Sequence, residues 1–218
     1  MKIAVLGTGQ MGKALGTLLA EAGHTVLFGS RNQEKARTAA SLAGDRASHG
    51  SLEEAAAFGQ VLIYTIRDVP PTEIVTDPSV FDGKIVIDLN NTDIPADYQY
   101  QYQGPSLAER LQQAIPKAHV VQAFNTIPQP VFEYSTAERR HHGISVFVAG
   151  DDDKARQTVA ALAQELGFNP VDLGPLRRSI FAQQLADVLR YLLIGQGLGP
   201  FYTLSTQDLP KLENRRFV

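Results

Sequence analysis

Lys2-Ile3-Ala4-Val5-Leu6 is a short apolar run that leads directly into Gly7-Thr8-Gly9-Gln10-Met11-Gly12. A strand that delivers the chain into G-x-G-x-x-G and opens a helix is the arrangement that cradles a dinucleotide pyrophosphate. The three glycines do different things. Gly7 makes the tight turn, Gly9 lets the backbone approach the pyrophosphate, and Gly12 lets the helix pack on the strand. Met11, Leu15, Leu18, Leu19 and Ala22 then recur at helical spacing, so the positive helix N-terminus is placed to receive phosphate. The next apolar run, Thr25 to Phe28, ends in Gly29-Ser30-Arg31-Asn32. An NAD site carries a carboxylate at this place to bind the ribose 2′-hydroxyl. Here there is none. A guanidinium and a hydroxyl suit a 2′-phosphate, and Lys35, four residues after Arg31, reaches the same group if the segment is helical. The cofactor reading is NADP(H), bound by Gly7, Thr8, Gly9, Gln10, Met11, Gly12, Ser30, Arg31 and Lys35.

In an open parallel sheet the ligand lies beyond the carboxyl ends of the strands. Three further loops qualify: Arg67-Asp68-Val69-Pro70-Pro71, Asn90-Asn91-Thr92 and Asn125-Thr126-Ile127-Pro128. The expectation is a nicotinamide and acceptor pocket made by Ile66, Arg67, Val69, Pro70, Asn90, Asn125, Thr126 and Ile127. Plain turn chemistry is the competing reading for Asn90-Asn91. No acid–base dyad stands out, and Asp68 serves equally as a helix cap or a solvated charge. No single catalytic residue is therefore assigned. Hydride transfer onto a flavin-like ring needs alignment and exclusion of water more than a side-chain proton donor.

The elements that must hold these loops alternate. Apolar runs at 61–66, 84–89, 119–124 and 144–149 read as strands, and 34–43, 52–58, 106–115 and 151–166 as helices, with a short strand at 169–173. This pattern means a doubly wound, mainly parallel Rossmann-type α/β sheet, assigned to residues 1–176. A C-terminal helical extension, 177–218, belongs to the same globular unit. Its helix from Ser179 to Ile194 bears a broad stripe of Phe181, Leu185, Val188, Leu189 and Leu192. The stripe reads first as core, with a dimer contact or a wall over the nicotinamide as alternatives. Tyr98, Tyr100 and Tyr102 alternate with glutamines and would share a face if extended. Packing on the same subunit is the simpler reading, stacking on an acceptor ring the other.

With 218 residues, 44% hydrophobic and 20% charged, the composition is that of an ordinary globular protein. A net charge of −3 without a basic stripe argues against nucleic acid. There is no cysteine, and the five histidines show no metal-ligand spacing. His141-His142 read as an exposed loop. The first residues form a strand rather than a leader, and the apolar run 185–194 is broken by Asp187 and Arg190, so a cytoplasmic protein without membrane partners is expected. β-Hydroxyacid dehydrogenases, imine reductases and pyrroline-carboxylate reductases share such an N-terminal unit but need a large helical second domain, for which 218 residues leave no room.

Five segments resemble the NADPH-dependent coenzyme F420 reductases, which share a fold with the oxidoreductase domain of six-transmembrane metalloreductases. They are Gly7 to Gly12, Gly29-Ser30-Arg31, Ala123-Phe124-Asn125-Thr126-Ile127, Val146 to Asp152, and Gly167-Phe168 through Asp172 to Leu176. The resemblance implies that Thr8, Ser30, Arg31 and Lys35 hold the 2′-phosphate end. It also implies that a deazaflavin meets the nicotinamide beside Asn125, Thr126 and Ile127, and that the protein is a homodimer. The Tyr/Gln stretch and Arg177 to Phe181 depart from the family pattern, both on the acceptor side. The expected function is hydride transfer between NADPH and a small-molecule redox acceptor, coenzyme F420 first and free FMN or FAD next. Ferric, carbonyl or imine reduction, or a non-enzymatic NADP(H) redox sensor, are the alternatives.

Overall fold

Along the first strand, β1 (Lys2–Leu6), side chains go alternately to two cores: Ile3 and Val5 to one, Ala4 and Leu6 to the other. Both faces are covered, which is why the strand reads as an unbroken apolar run. The computed structural model describes residues 1–209, so the stretch 210–218 of the expected extension lies outside the described residues. Seven further strands follow: β2 (Thr25–Gly29), β3 (Ala47–Gly50), β4 (Val61–Tyr64), β5 (Ile85–Asp88), β6 (His119–Gln122), β7 (Ser145–Gly150) and β8 (Asn169–Gly174). They form one sheet in the order β3-β2-β1-β4-β5-β6-β7-β8. The first six are parallel, β7 runs antiparallel to β6, and β8 runs parallel to β7.

Helices cover both faces, as expected for a Rossmann-type fold. α1 (Gln10–Glu21), α2 (Gln33–Ala43) and α6 (Asp153–Glu165) bury Leu15, Leu19, Ala39, Val159 and Leu162 in one core. α3 (Leu52–Phe58) and α4 (Leu107–Ala114) bury Leu52, Ala55, Ala108 and Leu111 in the other. Two of these helices, and the short α5 (Thr136–His141), begin at the same signal. Ser51/Glu54, Ser106/Glu109 and Ser135/Glu138 are capping boxes, each satisfying two otherwise unpaired backbone N–H groups. Chain order reverses between β2 and β4 on either side of β1, which opens a crevice at the carboxyl ends of β1 and β4.

The structure differs from expectation at three places. Ala47-Ser48-His49-Gly50 has no apolar pattern because it is the edge strand of the sheet, paired only with β2 and with Ser48 and His49 exposed. His141 and His142 are exposed as expected, but they end a helix rather than lie in a loop. Finally, α7 (Ser179–Arg190) turns small and polar residues inward: Ser179, Ala182, Gln183, Ala186 and Asp187 are buried, with Leu189 the one large apolar residue beside them. Phe181 and Val188, members of the expected core stripe, are 52% and 55% exposed. Asp187 and Ser179 take the inward face to meet polar groups of the segment 91–106, Tyr102 and Ser106.

α5 carries the largest fully buried side chain, Arg139. Its Nε donates to the Leu166 carbonyl at 2.8 Å and its Nη1 to the carbonyls of Phe132, at 3.0 Å, and Tyr134. The guanidinium also lies 5.2 Å from the centre of the Phe168 ring. No described helix is long and apolar enough to cross a membrane. Replacing Arg139 by Met keeps the apolar stem and leaves three carbonyls unpaired, so Arg139→Met should cost about 2–4 kcal/mol in urea unfolding.

Candidate active site

The glycine motif forms a turn packed against β4. Gly7 has φ +106°, and a Cβ there would lie 2.5 Å from the Thr65 hydroxyl. A Cβ on Gly12 would lie 2.4 Å from the Gly7 carbonyl oxygen, so a side chain at either position would push the helix off the strand. Thr65 fastens the turn: its hydroxyl lies within hydrogen-bonding distance of the carbonyls of Leu6, 3.1 Å, and Gly7, 3.2 Å. At Gly9 nothing lies within 4 Å of an added Cβ. That open space faces the start of α1, whose first turn has neither a side-chain cap nor an acidic residue. Unpaired N–H groups and an uncompensated helix dipole thus point at empty volume, the features an anion needs.

Beside it, a pocket of about 320 Å³ is lined by Thr8, Ser30, Arg31, Asn32, Lys35 and Ile66. The segment 30–35 is held by its own side chains. Asn32 caps α2 by accepting from the Lys35 backbone N–H at 3.0 Å, and the Ser30 hydroxyl accepts from the Asn32 N–H at 3.1 Å. Arg31 and Lys35 make no ion pair with a described residue, whereas Arg37 on the next turn is engaged by Glu34. The pocket therefore offers uncommitted positive charge where a 2′-phosphate would lie.

A cleft of about 550 Å³ continues from Gly9 to Gly12 across the strand ends. Thr65, Arg67, Asn90, Asn91, Asn125, Thr126 and Ile127 line one side, and Ala186, Leu189, Arg190 and Leu193 form the other. Phe124, at φ +60°, turns the chain sharply where β6 ends and sends Asn125 across the sheet edge. The Asn125 amide nitrogen then donates to Asn91 Oδ1 at 3.0 Å and to the Ala182 carbonyl at 3.1 Å. Its own Oδ1 and the Thr126 hydroxyl are buried without a partner. Asn90 is aimed by Asp88, whose Oδ1 accepts from the Asn90 backbone N–H at 3.0 Å and from its amide nitrogen at 2.8 Å. Arg190 is steadied by the Thr92 carbonyl, 2.7 Å, and Asp187, 3.1 Å.

The residues expected from the sequence are thus divided among three hollows. Gly7, Thr8, Ser30, Arg31 and Lys35 share the cationic pocket, and Gly9 joins it to the cleft. Gln10, Met11, Gly12, Arg67, Asn90, Asn125, Thr126 and Ile127 line the cleft. Ile66 lies between the cationic pocket and a third hollow behind β4, which Val69 and Pro70 line without reaching the cleft. The reason is local: Asp68 has φ +60°, which turns the loop back, and the Tyr64 hydroxyl donates to the Val69 carbonyl and ties it behind β4. The tyrosine stretch packs on its own subunit. Tyr102 donates to Asp187 at 3.0 Å, and the Tyr98 and Tyr191 rings meet edge-on at 5.2 Å. Sequence reasoning misses two polar wall positions, along with the apolar Leu89, Ala186 and Leu193. Thr65 stands at the end of an apolar run with nothing to distinguish it, and Arg190 reads only as an interruption in another; a lone cation at that place is the available clue.

A Rossmann-type sheet with an anion cradle on α1, a free cationic pocket after β2 and a polar cleft lined by no acidic residue among those described defines an NADP-binding oxidoreductase unit. The family model for coenzyme F420-dependent NADP oxidoreductases matches residues 2–92. The chain is 31% identical over 213 residues to the F420-dependent NADP reductase of Methanothermobacter thermautotrophicus, covering 87% of this chain and 88% of that one. It is 30% identical over 175 residues to Metalloreductase STEAP3 of Rattus norvegicus, covering 80% of this chain but only 34% of that protein's length. A solved F420-dependent NADP-reductase candidate from Arthrobacter sp. FB24 superposes with a TM-score of 0.81 at 25% identity, covering 95% of this chain and all of that one. The chain belongs to the F420-dependent NADP oxidoreductase family. Arg31→Ala should weaken NADPH binding by about 1.5–3 kcal/mol, the scale of a charged hydrogen bond, and leave NADH nearly unchanged. Equal losses for both cofactors in a calorimetric titration would refute the phosphate assignment.

Proposed function

We propose that this protein transfers hydride between NADP(H) and a deazaflavin-type acceptor, coenzyme F420 being the leading one, with the acceptor ring seated in the cleft between Asn125–Ile127 and α7. The observation that carries this reading is the composition of the cleft. Apart from the guanidiniums of Arg67 and Arg190, no titratable side chain lines it. A carbonyl reductase usually presents a Tyr, Lys or His acid to its substrate. Hydride transfer between two rings asks instead for alignment and a dry contact.

Gly9, the start of α1, Ser30, Arg31 and Lys35 would hold the dinucleotide, and Asn90, Asn125 and Thr126 would orient its nicotinamide end. NADPH, when bound, supplies a hydride from nicotinamide C4. The chain contributes orientation and exclusion of water: Leu89, Ile127, Leu189 and Leu193 give the cleft apolar walls, and the half-buried Asn91–Asn125 pair fixes the loop above β6. A cleft of about 550 Å³ also leaves room for a second ring, which a sealed redox sensor would lack. The decisive measurement is NADPH oxidation with F420, FMN, FAD, a ferric chelate and small carbonyls as acceptors. F420 should turn over fastest. Preference for a ferric chelate would align the chain with the metalloreductases, and tight NADPH binding with no acceptor would favour the sensor.

We further propose that the protein is a homodimer through the outer face of α7. Phe181 and Val188 lie two turns apart on one side of that helix, and Tyr191, Ile194, Leu198, Phe201 and Tyr202 extend the exposed apolar stretch beyond it. Light scattering should give twice the chain mass. Val188→Glu, outside the cleft, should give the monomer with NADPH affinity retained.

A further inference from the structure

Behind the loop that follows β4 lies the third hollow, a cavity of about 250 Å³ on the α4 side of the sheet. The cationic pocket and the cleft already account for the dinucleotide and the proposed acceptor, and this cavity is too small for either. Its walls are largely apolar, from Val69, Pro71, Leu107, Leu111, Ala114 and the Tyr64 ring. Asp88 stands in its back wall at 1% exposure. Asn90 occupies Oδ1, while Oδ2 has no hydrogen-bond partner. Gln122, facing Asp88 on β6, also leaves both amide atoms unbonded, so the protein offers this oxygen nothing. Arg67 at the rim is engaged by Asp68, 3.4 Å, and Asp93, 2.8 Å, and the exposed Arg110 donates from Nε to the Pro105 carbonyl at 3.2 Å. Neither guanidinium pairs with Asp88, whose Oδ2 is left without a partner among the described residues.

A buried carboxylate with an unused oxygen is costly, and a charged N–H donor relieves it best. Burial pushes the Asp88 carboxyl up to about 6, the mark of that cost. An apolar cavity of roughly 150 Å³ is enough for a benzene ring, so this one holds a ring and one substituent. We propose that the cavity is a binding site for a single-ring molecule bearing an amidinium, guanidinium or ammonium group, with the ring against α4 and the cationic nitrogen on Asp88. The cavity adjoins the dinucleotide hollows, sharing Arg67 and Asn90 with the cleft and Ile66 with the pocket beside Arg31, and Asp88 also aims Asn90, so an occupant would bear on the cleft.

Benzamidine is the probe, with benzoate as the control of equal size and opposite charge. Titrated into isotope-labelled protein saturated with NADPH, benzamidine should shift the amide resonances of Leu107 to Ala114 in a saturable way, and benzoate should not. Asp88→Asn should weaken benzamidine about tenfold or more, the scale of one charged hydrogen bond. Ala114→Phe, on the outer wall, should abolish its binding while NADPH affinity stays unchanged, which guards against a folding defect. No saturable shift, equal binding of benzoate, or retained affinity in both variants would overturn the proposal. So would displacement of benzamidine by NADPH, which would place it in the dinucleotide cleft.

Discussion

The contact between the start of α1 and the glycine turn beneath it is the constraint on which the rest is arranged. Gly12 can sit over the Gly7 carbonyl only because it has no Cβ, and Thr65 then bonds the same turn from β4. Three elements meet there, and the N-cap of α1 is Gly9, which has no side chain to cap it. The α1 N-terminus is consequently left unpaired at the one place in the sheet where strand order reverses. Everything polar that matters, from Ser30 on one side to Asn125 on the other, is set around that uncompensated end, because the sheet's two faces are closed by apolar packing and only its carboxyl edge is free.

How legible this was depended on whether a local rule governed the position. The glycine motif, the missing carboxylate after β2 and the strands of the central sheet could be read because each obeys a period or a spacing that backbone geometry imposes. β3 could not, since an edge strand with Ser48 and His49 in solvent needs no apolar pattern. α5 was hidden in a polar run, though Ser135 and Glu138 form the same cap that starts α3 and α4. Val69 and Pro70 were expected in the cleft from sequence adjacency to Ile66, and a single residue at positive φ, Asp68, sends them elsewhere. Nothing in the order of residues announces such a turn at an aspartate.

α7 is the element whose periodicity misled most. Its large apolar residues suggested the inward face, yet Ala182, Ala186, Gln183 and Asp187 are buried and Phe181 and Val188 are not. Small residues allow the helix to lie close to the Asn125 loop, where the Ala182 carbonyl receives the Asn125 amide. Polar ones answer groups offered by the long connection before α4, as Asp187 answers Tyr102 and Ser179 the Ser106 hydroxyl at 2.6 Å. An amphipathic pattern reports that two faces differ; it does not say which of them the rest of the chain will claim.

The cleft is assembled from two distant stretches of chain. Its dinucleotide side comes from the glycine turn and the ends of β4 to β6, and its opposite wall from residues 186–193. Those late residues lie on α7 and the turn after it, outside the strands and the glycine turn, so the two walls of the cleft are carried by separate elements. A substitution on α7 can therefore reshape one wall of the cleft while the turn that receives the start of α1 keeps its geometry.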